Sequence, residues 1–266
     1  MASLYVQQTG PTNAPIICFL HGFLGSGEDW QPIITVLSTT YNCIAIDLPG
    51  HGRSVQLEDE AYHFNHTAAL VAEIAQQQKQ RGCHVVGYSM GGRIALALAV
   101  MYPELIQSLT LLSASPGLAS EQERIARQNS DGAIAKRLET ENTEQFLRDW
   151  YTQPLFAALA ANKPLLEVTI ARRLQHDPKE WAKALRGTGT GIQPSYWEKL
   201  ERIRIPTLLL TGKKDSKFIA IADMMKQNNT QFITEITPNA GHALHIEQPS
   251  VVAKHIRSFI AHQKGS

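Results

Sequence analysis

The chain has 266 residues, 43% of them hydrophobic and 18% charged, with a formal net charge of +1. That length buries a large core without disulfides or metal, and the balanced charge, with no long basic or acidic run, argues against nucleic acid or an anionic membrane as the main partner. Three cysteines, Cys18, Cys43 and Cys83, with no Cys-x-x-Cys pair, argue against a disulfide framework or a zinc site and read as small buried hydrophobes. The first residues lack a charged segment followed by an apolar stretch, and no apolar run reaches membrane-spanning length, so the expectation is a cytoplasmic protein.

In chain order, short apolar runs end at turn residues: Ile16 to Leu20 before His21-Gly22, Cys43 to Ile46 before Asp47-Leu48-Pro49-Gly50, His84 to Val86 before Gly87, and Leu109 to Leu112 before Ser113. The runs are continuous rather than alternating, as strands buried on both faces of a parallel sheet require. Helical patterns separate them, most clearly Thr67 to Gln80 and Gly92 to Met101. Strand–helix alternation implies right-handed βαβ units, an α/β fold with a mostly parallel central sheet flanked by helices.

After Ser115-Pro116-Gly117 the pattern changes. From about Glu121 to Leu200 the chain is rich in Ala, Leu, Glu, Gln and Arg, and Pro154, Pro164, Pro178 and Pro194 divide it into short helices. Strands resume at Thr207 to Leu210 and Phe232 to Ile236, and an amphipathic helix over about Pro249 to His262 closes the chain. The expected organisation is a core of residues 1–115 and 201–266 with a helical lid, 116–200, inserted between two strands. Such an insertion projects from the strand ends where open α/β sheets bind ligands.

Gly87-Tyr88-Ser89-Met90-Gly91 lies between the strand His84 to Val86 and the helix from Gly92. This is the strand–turn–helix context that gives a G-x-S-x-G motif its meaning: a sharp turn presents the serine hydroxyl above a helix N-terminus. In that context the chain resembles the α/β-hydrolase superfamily, where a base and an orienting acid follow the serine in the order serine, acid, histidine. Asp215, in the loop after Thr207 to Leu210, is the candidate acid, with Asp223 a rival inside a helical pattern. His242, in Asn239-Ala240-Gly241-His242, is the candidate base, with His245 three residues on. An oxyanion hole needs two aimed backbone N–H groups, for which Met90 and, in the loop His21 to Ser26, Phe23 are the candidates.

Finer motifs narrow the reading. His21-Gly22-Phe23-Leu24-Gly25-Ser26, Gly91-Gly92-Arg93, Arg124-Ile125-Ala126-Arg127-Gln128, Asp149-Trp150-Tyr151-Thr152-Gln153-Pro154, Gly189-Thr190-Gly191-Ile192-Gln193-Pro194 and Asp215-Ser216-Lys217-Phe218 together resemble the 2-succinyl-6-hydroxy-2,4-cyclohexadiene-1-carboxylate synthases of menaquinone and phylloquinone biosynthesis. The resemblance spans about Phe19 to Pro249. It implies a lyase that eliminates pyruvate from a small tricarboxylate, 2-succinyl-5-enolpyruvyl-6-hydroxy-3-cyclohexene-1-carboxylate.

The residues are consistent with that chemistry. Three carboxylates call for cations that pair bidentately, an arginine task. Arg93 lies four residues after Ser89 and so on the same helix face. Arg124 and Arg127, three apart, can share one lid-helix face. The resemblance implies that Arg93, Arg127 and one of Arg172 and Arg173, with Arg173 preferred, bind carboxylates. It also implies that Trp150, Tyr151 and Lys217 face the pocket, while Tyr88, beside the serine, can donate a hydrogen bond to substrate. Two rivals stand beside this reading: an ordinary serine hydrolase, which needs the same triad but fewer arginines, and a non-catalytic member of the fold. Gly22 to Gly27 lacks the lysine of a P-loop, no flavin or metal motif is present, and no cofactor is expected. The expected oligomeric state is a monomer or weak dimer, and either Ser89 or His242 is the group that takes the substrate proton.

Overall fold

The computed structural model describes residues 3–78 and 82–263. Its strands are β1 (Val6–Thr9), β2 (Ile16–Leu20), β3 (Asn42–Ile46), β4 (Cys83–Tyr88), β5 (Ile106–Leu112), β6 (Thr207–Gly212) and β7 (Ile233–Thr237). They form one sheet in the order β1-β3-β2-β4-β5-β6-β7, parallel except for the β1–β3 pair. β2 is flanked by β3 on one side and β4 on the other, so the chain's direction of travel across the sheet reverses between β2 and β4. A crevice opens at the carboxyl ends of strands where that reversal occurs, and the loops after β2 and β4 face each other across it.

β2 and β3 are buried at every position, as continuous apolar runs between two helical layers require. Successive side chains serve opposite faces: Ile16, Cys18 and Leu20 join one core, Ile17 and Phe19 the other. Helices α2 (Phe64–Gln77) and α3 (Met90–Met101) pack on the first face, α1 (Gln31–Leu37) and the C-terminal α11 (Pro249–His262) on the second. The helix expected over Thr67 to Gln80 starts three residues earlier, at Phe64; Gln80 lies outside the described residues.

Two elements go beyond the sequence reading. β1 carries a single large apolar residue, Val6, and pairs antiparallel with β3, Val6 opposite Ile46 and Thr9 opposite Cys43. Being half exposed at the sheet edge, it has no apolar run to announce it. The short α1 is similarly silent, because Pro32 sits in its first turn and it spans only Gln31–Leu37.

Between β5 and β6 the described chain is helical: α4 (Glu121–Thr140), α5 (Thr143–Tyr151), α6 (Ala157–Ala160), α7 (Lys163–Arg173) and α8 (Pro178–Thr188). Pro164 and Pro178 occupy first helical turns, where a missing N–H costs nothing. Only α4 is long, and a capping box of Ser120 with Glu123 starts it. Phe146, Leu147, Leu159, Ile170, Trp181 and Leu185 from this segment merge with the core on the α1 and α11 face. After β6 come α9 (Ser216–Asn228), β7 and the single turn α10 (Leu244–Glu247). Among the described residues no helix is long and apolar enough to cross a membrane, and the three cysteines are buried and unbridged.

Candidate active site

Ser89 caps α3 with backbone angles φ 48° and ψ −108°, a region a non-glycine residue occupies only under constraint. The turn is tight because a Cβ on Gly87 would lie 2.5 Å from the carbonyl oxygen of Gly91, and one on Gly91 would strike the carbonyl oxygens of Leu20 and His21. Only hydrogen at these two positions lets β4 turn directly into α3.

The Ser89 Oγ lies 3.3 Å from Nε2 of His242, whose Nδ1 lies 2.8 Å from Oδ2 of Asp215. Asp215 is the N-cap of α9, where its Oδ1 accepts the Phe218 N–H at 3.3 Å. The cap holds the carboxylate and leaves Oδ2 for the histidine. With Nδ1–H donating to the acid, Nε2 is the ring's acceptor and faces the serine. His242 and Asp215 are buried, and the rings of Phe218 and Phe156 stand 4.6 and 5.9 Å from the imidazole. The rival Asp223 is exposed on α9, and His245 lies in α10 against Tyr88 and Trp30, away from the serine hydroxyl.

These groups line a cavity of about 520 Å³ that also contains Phe23, Met90, Tyr88 and Arg93. Among the described residues no acceptor takes the backbone N–H of Phe23 or Met90, so both stay available as donors. The segment between β5 and β6 supplies the opposite wall through Arg127, Trp150, Tyr151, Phe156, Arg173 and Thr188. Trp150 meets Phe23 edge to face at 5.7 Å and stacks on Phe146 at 5.9 Å, joining the two walls through apolar contact.

The cations divide into two kinds. Arg173 is neutralised: its two terminal nitrogens lie 2.8 and 2.7 Å from the two oxygens of the buried Asp29. Burial disfavours that guanidinium, but Asp29 and Tyr151 outweigh it and raise its pKa; burial likewise acts against the Asp29 carboxylate, and Arg173 overcomes it and lowers the pKa. Among the described residues Arg93 has no such partner. It is buried, its Nη1 donates to Oε1 of Gln193 at 3.3 Å, and its guanidinium lies 5.9 Å from the Phe64 ring centroid. Burial and the charge of Arg127 push its pKa down to about 9, with Asp131 pulling the other way, so it is still a cation at neutral pH. Arg127 itself pairs through Nε with Asp131 at 2.7 Å.

Of the arginines read from sequence, Arg93, Arg127 and Arg173 line the cavity; Arg124 and Arg172 do not, although the Nη1 of Arg172 lies 3.6 Å from Oδ1 of Asp29. Lys217 lines the cavity from its exposed rim. Sequence reading missed Asp29, Gln193 and Phe156. Gln193 had a signal, since it stood in a noted motif, whereas Asp29 and Phe156 stand far along the chain from their partners Arg173 and His242, Asp29 by 144 residues.

A model of the α/β-hydrolase fold family matches residues 15–249. The 2-succinyl-6-hydroxy-2,4-cyclohexadiene-1-carboxylate synthase of Serratia proteamaculans is 32% identical over 261 residues, 98% of each chain. That of Salmonella paratyphi B is 33% identical over 253 residues, 94% of this chain and 96% of that one. The structure of MenH from S. aureus superposes with a TM-score of 0.93 at 32% identity, covering 99% of this chain and all of that one. This chain therefore belongs to the α/β-hydrolase fold family and, within it, to the 2-succinyl-6-hydroxy-2,4-cyclohexadiene-1-carboxylate synthases.

Proposed function

We propose that the protein is the lyase that converts 2-succinyl-5-enolpyruvyl-6-hydroxy-3-cyclohexene-1-carboxylate to 2-succinyl-6-hydroxy-2,4-cyclohexadiene-1-carboxylate and pyruvate, a step of menaquinone or phylloquinone biosynthesis. The observation that carries the assignment beyond its family is Arg93: a buried cation, one helical turn from the serine and without a carboxylate partner among the described residues, suits an anionic substrate and is wasted on a neutral ester.

In this mechanism His242, oriented by Asp215, accepts the Ser89 proton, and the Ser89 oxygen removes the ring proton beside the succinyl carbonyl. The electron pair of that C–H bond moves onto the carbonyl oxygen, where the N–H groups of Phe23 and Met90 hold the charge. Collapse re-forms the carbonyl, makes the ring double bond and breaks the ring C–O bond. The leaving enolate takes a proton to become pyruvate. No acyl-enzyme forms, so Ser89 works as a relay base. Arg93 and Arg127 pair with substrate carboxylates, Tyr88 and Lys217 add polar contacts, and residues 116–200 act as a lid whose aromatic wall excludes water. Arg173, already matched by Asp29, holds that wall in place.

The test is to supply the enolpyruvyl substrate to the purified protein and follow pyruvate through a coupled dehydrogenase. Pyruvate release that Ser89→Ala abolishes is the expected result. Absence of pyruvate together with fast hydrolysis of simple esters would overturn the assignment in favour of a serine hydrolase.

A further inference from the structure

The helical segment leaves the sheet after β5 and returns to it before β6, and its two roots are stitched to each other. The Tyr196 N–H donates to the Pro116 carbonyl at 2.7 Å, and the Trp197 indole N–H donates to the Gly117 carbonyl at 3.0 Å. Gly117 sits at φ 98°, and a Cβ there would come 3.0 Å from the Pro194 carbonyl oxygen and 3.3 Å from the Gln193 side chain. Glycine is what lets the roots meet this closely. The third stitch is Gln193, which is fully buried and whose Nε2 donates to the Ser115 carbonyl at 3.4 Å.

The other end of the same carboxamide holds Arg93. Its Oε1 accepts from Nη1 of Arg93 at 3.3 Å. The amide orientation is fixed by its two partners, because a guanidinium only donates and a carbonyl only accepts. Gln193 is not among the residues that line the cavity, so it acts through Arg93 rather than on a bound molecule. The Phe64 ring, 5.9 Å from the Arg93 guanidinium, is likewise uncharged. Arg173 is the contrast, with both terminal nitrogens on the Asp29 carboxylate at 2.8 and 2.7 Å. The same turn also braces the helix that carries Arg127: its neighbour Gln128 donates from Nε2 to the Gly191 carbonyl at 2.8 Å.

We infer that Gln193 is a positioning residue for the elimination: it ties Arg93 to the joined roots of the helical segment through a neutral acceptor, fixing the guanidinium near Ser89 while leaving its charge for a substrate carboxylate. The inference rests on the function proposed above. Two demands conflict at such a site. A buried arginine is held most firmly by a carboxylate, but that partner also neutralises it. A carboxamide makes a weaker bond and leaves the charge intact. Glutamate has the length and shape of glutamine, so a carboxylate at this position would fit the same bond and turn Arg93 into a second neutralised arginine.

The experiment measures steady-state pyruvate release from the enolpyruvyl substrate by the full-length wild type, Gln193→Glu and Gln193→Met, with a thermal midpoint for each. Gln193→Glu should raise KM by about thirtyfold or more, because the substrate carboxylate loses a charged partner. Gln193→Met, which leaves the guanidinium charged but untethered, should raise KM by about fivefold. In both, kcat should stay within about threefold of wild type, since neither change touches Ser89 or His242. The variant closest in shape is then the most impaired, an order that a purely structural role would reverse. A KM for Gln193→Glu within about threefold of wild type, or a rise in Gln193→Met as large as that in Gln193→Glu, or a loss carried mainly by kcat, overturns the inference. Should Gln193→Glu fail to fold, Gln193→Met decides, and a wild-type KM there overturns it. Failure of the lyase assignment itself is read separately, as no pyruvate formed by the wild type.

Discussion

At the scale of single residues, two positions carry opposing demands. Ser89 is held at φ 48° so that its hydroxyl can meet His242. Ser89→Ala should keep the strain and lose the base, lowering kcat roughly a thousandfold with little change in unfolding midpoint. Ser89→Gly should be equally inactive yet more stable by about 1 kcal/mol, because glycine occupies positive φ without penalty; paired urea denaturation curves of the two variants check this. Arg93 presents the complementary case: in the proposed function its buried charge meets a substrate carboxylate. Arg93→Met should lower kcat/KM about a hundredfold, and Arg93→Lys should recover only part of that, since an ammonium cannot reproduce bidentate pairing. Steady-state kinetics across the three proteins decides it, and full recovery by lysine would remove bidentate geometry from the explanation.

At the scale of elements, the decisive contact is the bidentate ion pair between Asp29, ahead of α1, and Arg173 at the end of α7. It joins the core to the helical segment in a buried setting. Removing one partner strands the other's charge, so Asp29→Asn should destabilise by about 3 kcal/mol while a paired Asp29→Leu, Arg173→Met change costs much less. A double-mutant cycle by chemical denaturation measures the difference. This pair also shows where sequence stops being informative. Ser89, Asp215 and His242 are legible because each sits at a strand end, where a short motif and the order of elements fix its neighbours. The five interior parallel strands are legible because burial on both faces makes them continuously apolar. The edge strand β1 is not, since it carries one large apolar residue, Val6, whereas the other edge strand, β7, keeps Ile233 and Ile236 and is legible. Arg173 is legible as a cation, but the partner that neutralises it stands 144 residues away, and no local pattern announces a long-range carboxylate. Arg124 shares spacing with Arg127 and nothing else, because spacing fixes a helix face only to within the width of the cavity wall.

At the scale of the whole molecule, several buried histidines couple the fold to pH. Burial holds His21, His51 and His245 below the ordinary imidazole range, His245 down to about 3. In the unfolded chain each takes up a proton as pH falls below about 6.5, whereas in the fold each stays neutral. The unfolded state therefore binds more protons in acid, so stability is complete above about pH 6.5 and declines below it, by up to about 1.4 kcal/mol per pH unit for each histidine. His245 also leaves both ring nitrogens without a partner among the described residues, between Trp30 and Tyr88. His245→Phe should raise stability and flatten the decline between pH 6.5 and 5, which urea midpoints across that range would show; an unchanged slope would exclude His245 as a source of acid sensitivity.

The neighbouring placement of β5 and β6 bears on how this chain comes to be folded. Four strands, β1 to β4, find all their partners among the residues up to Leu112, and β5 finds one of its two there, whereas β6 reaches β5 only after the helices α4 to α8 have been made. Closing so long a loop costs entropy that its own contacts do not repay until the strands meet. During synthesis the first five strands can assemble as a partial sheet with the outer edge of β5 open, and β6 and β7 complete it last. Asp215 and His242 arrive with those late strands, so the triad is assembled only when the final edge of the sheet closes.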